Sequence, residues 1–470
     1  MQANDGKTAS VSAFGALCIE AAQRGEVSRA LVSIQSFVYR AALSRESALG
    51  QVFSSRTLDD ACQAIGALEP VPVSPDRRGV VYIVTELQLT GGHTRVVSDL
   101  IMADDATTRS DEPVTILVTD VVGQHNPAAA ALLLELGARV ETPPPGDHGA
   151  RLTWLKGRLS SLSPRTTRLV LHPFDSVAMA AAQPGLTGDL VFLHNADHNL
   201  ALGVTLAHSL HVDFHAKGFY NCRERQGVRD NVMWPLTATD LGPRSPLYGG
   251  APIRTCTCGG AEKFEPQFKR DLAPYPLRYS ELAPLIPATT GGVHVHIGPL
   301  SDEALSVIGE GLDRLGVARD RFVHLPSVPS LWAALKTLEI DLYVGSFPLG
   351  GGRATVEALG AGLPVCIHSN YRSIMLSVEK EIYEGALIWR TPEDLVRRLT
   401  DLTPEDLERH ARAARSYYES HHHPSRLRAA LAGDVEPPSR PSHTEDWLQA
   451  YLDQSGPVEW PATALGGSAS

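Results

Sequence analysis

From Val80 to about residue 430, short β-branched or aliphatic runs alternate with stretches of helical periodicity, and this alternation restricts the possible folds more than any other feature of the chain. "VVYIVTEL", "VTILVTDV", "RLVLHP" and "DLVFLHNA" read as buried strands, with "GGHTRVVSDLIMAD", "AAAALLLELGA" and "RLTWLKGRLSSL" as the helices between them. Apolar runs without polar alternation belong to strands covered on both faces, and a helix after each strand returns the chain to a parallel neighbour. The pattern lapses once, between about 235 and 290, in the Pro/Gly-rich "GPRSPLYGGAP", "APYPLRY" and "PLIPATTGG". It then resumes with "GVHVHIGPL", "RFVHLPSV", "DLYVGSF" and "LPVCIHS". Two doubly wound α/β domains in tandem, facing each other across a cleft, are expected.

A chain of 470 residues exceeds what one hydrophobic core organises, in keeping with two domains plus extensions. Residues 11 to 66 carry apolar positions at helical spacing ("FGALCIEAAQ", "ALVSIQSFVYRAAL") and few strand formers, so 1–70 is expected to be a helical N-terminal extension. The Pro-rich "PVPVSPDRRG" at 70–79 reads as a linker. The expected domains are then 78–240 and 250–432, each doubly wound, followed by 433–470 as a closing amphipathic helix and a Gly/Ser tail.

A formal net charge of −11, with no clustered Lys and Arg, argues against nucleic-acid binding. No apolar run approaches the roughly 20 residues that cross a bilayer, and "MQANDGKTAS" lacks the features of a signal peptide. A cytoplasmic location is expected. The six cysteines are scattered, so free thiols are expected, and the one-residue spacing in "RTCTCGG" fits a strand end better than a zinc pair.

The candidate site centres on Ser346 to Val365, "SFPLGGGRATVEALGAGLPV". Gly350, Gly351 and Gly352 let backbone N–H groups approach a ligand, and a helix starting near Arg353 directs its unpaired N–H groups and positive dipole end to the same place. Arg353 adds a fork suited to phosphate oxygens, and Ala354 and Thr355 are further donor-binding candidates, Thr355 offering a hydroxyl one step further on. Glu357 would repel a bare phosphate but accepts hydrogen bonds from the two hydroxyls of a ribose. A nucleoside diphosphate fits this set better than free phosphate. The alternative is a Gly-rich turn in which Glu357 only satisfies a helix end.

"GGGRATVEALGAGLPVC" closely resembles the donor-binding stretch of GT-B glycosyltransferases, and Pro348, Glu357 and "RFVHLPSVPS" resemble the O-GlcNAc transferase and bacterial protein glucosyltransferase branch in particular. The resemblance implies that Gly350 to Gly352 cradle the diphosphate and Glu357 holds the ribose. It also implies that Lys263, in "CTCGGAEKFEPQF", supplies charge to the diphosphate, and that Ser327 and Val328 bracket the nucleobase. In the first domain, Gly91 and Gly92 resemble the loop facing the donor, and His93 follows at a helix start, where the dipole favours a neutral, proton-accepting imidazole. His194, Asp197 and His198, in "VFLHNADHNLALG", are further candidates, with His194 and Asp197 possible bases and His198 part of the acceptor loop. Any such role requires exposure.

The expected donor is a nucleotide-diphosphate sugar, with UDP as the favoured nucleotide and no bound metal or other cofactor. The acceptor is a protein side chain or a glycan, and inversion is preferred because Leu349 stands where retaining relatives carry a second Glu. The alternatives are a polysaccharide, lipopolysaccharide or small-molecule glycosyltransferase, a sugar-nucleotide epimerase, or a partner protein that binds nucleotide without turnover. The N-terminal helices are expected to hold a polypeptide or an oligomer contact. His208, His211 and His215 around Asp213 invite a metal reading, set aside because "HVDFHAKGFYN" looks strand-like, with alternate residues on opposite sides. His421 to His423 are expected to form a solvated helix end.

Overall fold

A computed structural model describes residues 10–43, 50, 52–88, 92–104, 113–123, 125–245, 252–265, 278–370, 373–434 and 436–439. Gly91 and the helix expected within 433–470 lie outside the described residues. The chain divides into two compact units, crossing to the second between Trp234 and Pro235 and returning to the first after Asp434.

The first unit is built on a seven-stranded sheet: β1 Arg78–Val84, β2 Thr115–Val118, β3 Arg139–Glu141, β4 Pro164–Val170, β5 Asp189–His194, β6 Leu210–Asp213 and β7 Val232–Met233. Every pairing is parallel, in the order β3-β2-β1-β4-β5-β6-β7. The chain builds outward from β1 through β2 and β3, then returns to lay β4 on the other side of β1. That reversal places a switch point at the β1 and β4 ends.

The N-terminal helices α1 Val11–Gln23, α2 Val27–Leu43 and α3 Arg56–Ala67 share one hydrophobic core with this sheet and with the helices His148–Leu162 and Ser176–Ala181. Burial of Leu31, Ile34, Val38, Leu58, Cys62 and Ile65 anchors them. Gly66 lies so close to the backbone of Ala180 that a Cβ there would sit 1.8 Å from the carbonyl oxygen. Buried Asp59 in α3 accepts hydrogen bonds from the Gly203 N–H (2.6 Å), the Thr205 N–H (3.0 Å) and the Thr205 hydroxyl (2.6 Å). Lys156 Nζ donates to the carbonyl of Gly66 at 2.5 Å. One side of the extension is thus integral to the first unit, while Leu17, Val32 and Tyr39 remain exposed.

The second unit holds a six-stranded parallel sheet: β8 Thr255–Cys258, β9 His294–Ile297, β10 Phe322–Leu325, β11 Leu342–Val344, β12 Val365–His368 and β13 Leu387–Trp389. Its order is β10-β9-β8-β11-β12-β13, which puts the reversal between β8 and β11. "TCTC" is a strand, as its spacing suggested, and all six cysteines are free. The Pro-rich crossover is pinned by the helix Pro404–His421, where Arg415 donates to Asp240 from its two terminal guanidinium nitrogens (2.9 and 2.7 Å) and the Tyr418 hydroxyl donates to Ala238 O at 2.7 Å.

Two local expectations are corrected. "HVDFHAKGFYN" is strand only over Leu210–Asp213, and the helix Ala216–Glu224 follows because His215 already takes extended capping geometry. The triplet His421 to His423 is not uniformly solvated. His421 is exposed, but His422 is buried with its Nδ1 2.8 Å from Leu236 O, and His423 caps the next helix.

Candidate functional site

The second unit's switch point collects the residues singled out for a nucleotide. β8 ends into Gly259, Gly260 and the short helix Ala261–Phe264 bearing Lys263, while β11 ends into the glycine loop and the helix Gly352–Gly360. Lys263 Nζ donates to the carbonyl of Gly350 at 3.0 Å, so its ammonium is held at the loop. The glycines have distinct steric reasons. A Cβ on Gly350 would meet the backbone of Leu376 to Val378 at 3.1 to 3.3 Å, and the Gly350 N–H is already bonded to Leu376 O at 2.9 Å. A Cβ on Gly351 would meet the Ser346 hydroxyl at 3.2 Å and the Lys263 stem at 3.8 Å. No side chain caps the helix, since Gly351 occupies the capping position, and the first-turn N–H groups have no intrahelical acceptor.

Thr355 turns its hydroxyl back to Gly351 O at 2.8 Å and is buried, so its role is to shape the turn. Arg353 Nε lies 3.4 Å from Glu357 Oε1, both side chains being 15% exposed. Glu357 Oε2 accepts the Trp332 N–H at 3.0 Å, which fixes the carboxylate against the start of the helix Leu331–Thr337. Trp332 in turn packs on Gly360, where a Cβ would come within 2.0 Å of the indole. Ser327 and Val328 follow β10, Ser327 exposed and Val328 half-buried. Burial pushes the Cys258 thiol up to about 12, with the Glu357 charge adding to it, so the thiol beside this nook stays protonated.

In the first unit the switch point gathers Glu86, His93 and His172. His93 sits at the start of α4, Gly92–Ala103, with its ring edge-on to His172 at 4.8 Å between centroids. His172 Nε2 lies 3.5 Å from Glu86 Oε1, and the Gln88 amide donates to the same oxygen at 2.5 Å. Burial holds His172 down at about 4, so it is neutral, and burial raises Glu86 against the Gln88 bond. Sequence reasoning did not single out Glu86 or His172. The available signal was a lone polar residue closing an apolar run, in "VVYIVTEL" and "RLVLHP".

His194 and Asp197 do not meet the exposure a base requires. The His194 side chain has no exposure, and its Nδ1 lies 3.0 Å from Asp213 Oδ1. Asp197 is 5% exposed and bonded to His215 Nδ1 at 2.9 Å. Burial opposes its charge, but His215, the bond from His198 and nearby Lys217 outweigh burial and keep the carboxyl well below the usual range. His198, 3.7 Å from Asp197, is 38% exposed.

No protein-family model matches the chain, and no curated protein matches it. Solved structures do. A mutant of the Thermobaculum terrenum O-GlcNAc transferase aligns with 96% of this chain and 86% of its own at 17% identity and a TM-score of 0.50. The apo lipopolysaccharide outer core galactosyltransferase WaaB aligns with 76% of this chain and all of its own at 12% identity and 0.54. HepE of Anabaena, in complex with UDP and glucose, covers 76% of this chain and 99% of its own at 14% identity and 0.52. At these identities the likeness is one of fold, and the fold is that of the GT-B glycosyltransferases: two parallel α/β sheets, here with helices before the first.

Proposed function

We propose that this protein is a glycosyltransferase that binds a UDP-sugar in the second unit and transfers the sugar to an acceptor bound at the first. The observation that carries the reading is the Lys263 ammonium bonded to Gly350 at the switch point, beside the uncapped start of the helix Gly352–Gly360. The diphosphate takes the N–H groups from Gly351 to Ala354, with Lys263 and Arg353 as counter-charges. Charge fixed in advance around a leaving group stabilises it without reorganisation, so the departure of UDP needs no metal at that place. Glu357 holds the ribose with the carboxylate oxygen that Trp332 does not occupy, and Ser327 with Val328 faces the base.

Of the catalytic candidates, His93 is half-buried where His194 and Asp197 are enclosed, which supports His93 as the group accepting the acceptor's proton in an inverting displacement. The acceptor class is a polypeptide or glycan. Labelled UDP-sugars incubated with the wild type and with Lys263→Ala test the reading. We expect transfer or slow donor hydrolysis in the wild type and a roughly 100-fold lower kcat in the variant. Equal rates would refute the Lys263 assignment. Conversion of the donor to its epimer, with no transfer or hydrolysis, would refute the transferase reading.

A further inference from the structure

At the ends of β5 and β6, four buried side chains from three elements converge: His194 at the end of β5, His211 and Asp213 on β6, and Cys222 in the helix Ala216–Glu224. We infer that this cluster is a tetrahedral zinc site that ties the β5 and β6 ends to that helix.

His194 Nδ1 and His211 Nε2 lie 3.0 and 3.3 Å from Asp213 Oδ1, and Cys222 Sγ lies 3.4 Å from both Asp213 Oδ1 and His194 Nδ1. All four donor atoms fall within 4.8 Å of one another. Zn–N and Zn–O bonds of about 2.0 Å and a Zn–S bond of about 2.3 Å, at tetrahedral angles, put ligand atoms roughly 3.3 to 3.5 Å apart. Four of the six separations already have nearly that length, and the other two fall within 4.8 Å.

Hydrogen bonding alone accounts for it poorly. Three donors point at one carboxylate oxygen, while the other oxygen, Oδ2, is taken by the Asn231 amide at 2.7 Å. Asn231 also donates to Phe219 O at 2.9 Å, so it orients the carboxylate for a single metal bond, as outer partners of metal ligands do. Charge also favours the ion. A fully buried carboxylate is costly unless a positive charge meets it directly. Zn²⁺ displacing the Cys222 thiol proton to solvent leaves a dication matched by one thiolate and one carboxylate. Two imidazoles, a thiolate and a carboxylate are a zinc donor set.

The ion's place is structural: all four donors are protein groups and the pocket is closed. It would brace the segment 195–215 that carries Asp197, His198 and His215.

The test uses the full chain, stripped of metal with a chelator under reducing conditions and titrated with Zn²⁺ and, separately, Co²⁺. We expect one Zn²⁺ per chain by elemental analysis, a higher melting temperature on Zn²⁺ addition, and release of protons on binding. Co²⁺ should give the intense visible bands of a tetrahedral ion with a thiolate charge-transfer band in the near ultraviolet. Cys222→Ser should abolish that band and weaken Zn²⁺ binding at least tenfold. If that variant does not fold, the wild-type Co²⁺ spectrum decides alone. No uptake, or a spectrum of imidazole ligands without thiolate, which would place the ion on His421 to His423, overturns the inference.

Discussion

Glu357 is asked to do two things, and two substitutions separate them. Its Oε2 accepts the Trp332 N–H at 3.0 Å, its Oε1 faces Arg353 Nε at 3.4 Å, and the side chain is 15% exposed. Glu357→Gln keeps an oxygen for Trp332 and nearly the same volume but removes the charge. Hydrogen bonds to a charged group contribute about 1.5 to 3 kcal/mol, so losing the charge that receives the ribose hydroxyls costs about 2 kcal/mol of UDP affinity, or roughly 30-fold. Glu357→Ala also strands the Trp332 N–H, at about 1 to 3 kcal/mol of stability, which is several degrees of melting temperature in a domain of this size. Calorimetric titration with UDP, paired with thermal melts, reads both. The Gln variant should bind roughly 30-fold more weakly and melt close to the wild type, whereas the Ala variant should lose affinity and stability together. If UDP affinity stays within about twofold in Glu357→Gln, a change under 0.5 kcal/mol, the carboxylate is only a helix cap and the ribose assignment is wrong.

Other expectations follow from single contacts. His93→Ala should abolish transfer while leaving UDP affinity unchanged, and retained transfer would remove it as the base. Gly66→Ala drives a methyl into the Ala180 carbonyl and should cost about 3 kcal/mol or more, so a melting temperature equal to the wild type would mean α3 is not seated on the first unit. Gly360→Ala, against an indole fixed by its Nε1 bond to Gly242 O (2.9 Å), should cost about 1 to 3 kcal/mol in the denaturation midpoint, and a neutral result would refute that packing. Asp59 is raised from 3.8 to about 6 by burial. The native state therefore binds its proton more tightly than the unfolded chain, and its contribution to stability falls as pH rises from about 4 to about 6, by about 3 kcal/mol at most. The stability difference between wild type and Asp59→Asn across that window measures this, and a flat difference would contradict it.

The two sheets were legible because strands covered on both faces are apolar nearly throughout, as "VVYIV" and "LVFL" are. Edge strands were not. β3 "RVE" and β7 "VM" are short and partly exposed, so neither carries an apolar run. The glycine loop and Lys263 could be read because bare backbone at a strand end leaves a local sequence mark. The Glu86, His93 and His172 group and the His194, His211, Asp213 and Cys222 cluster leave only single polar residues at strand ends, since which of them meet depends on strands paired in space. His194 shows the difference. The sequence places it at a strand end, and only the pairing of β5 with β6 sets it against Asp213, where its side chain is fully buried.

A crystal structure of the protein grown with UDP tests the central claim most directly. The account predicts the diphosphate on the N–H groups of Gly351 to Ala354, within hydrogen-bond reach of Lys263 Nζ, and the ribose on Glu357. UDP bound elsewhere, or that nook without nucleotide at saturating UDP, would contradict it.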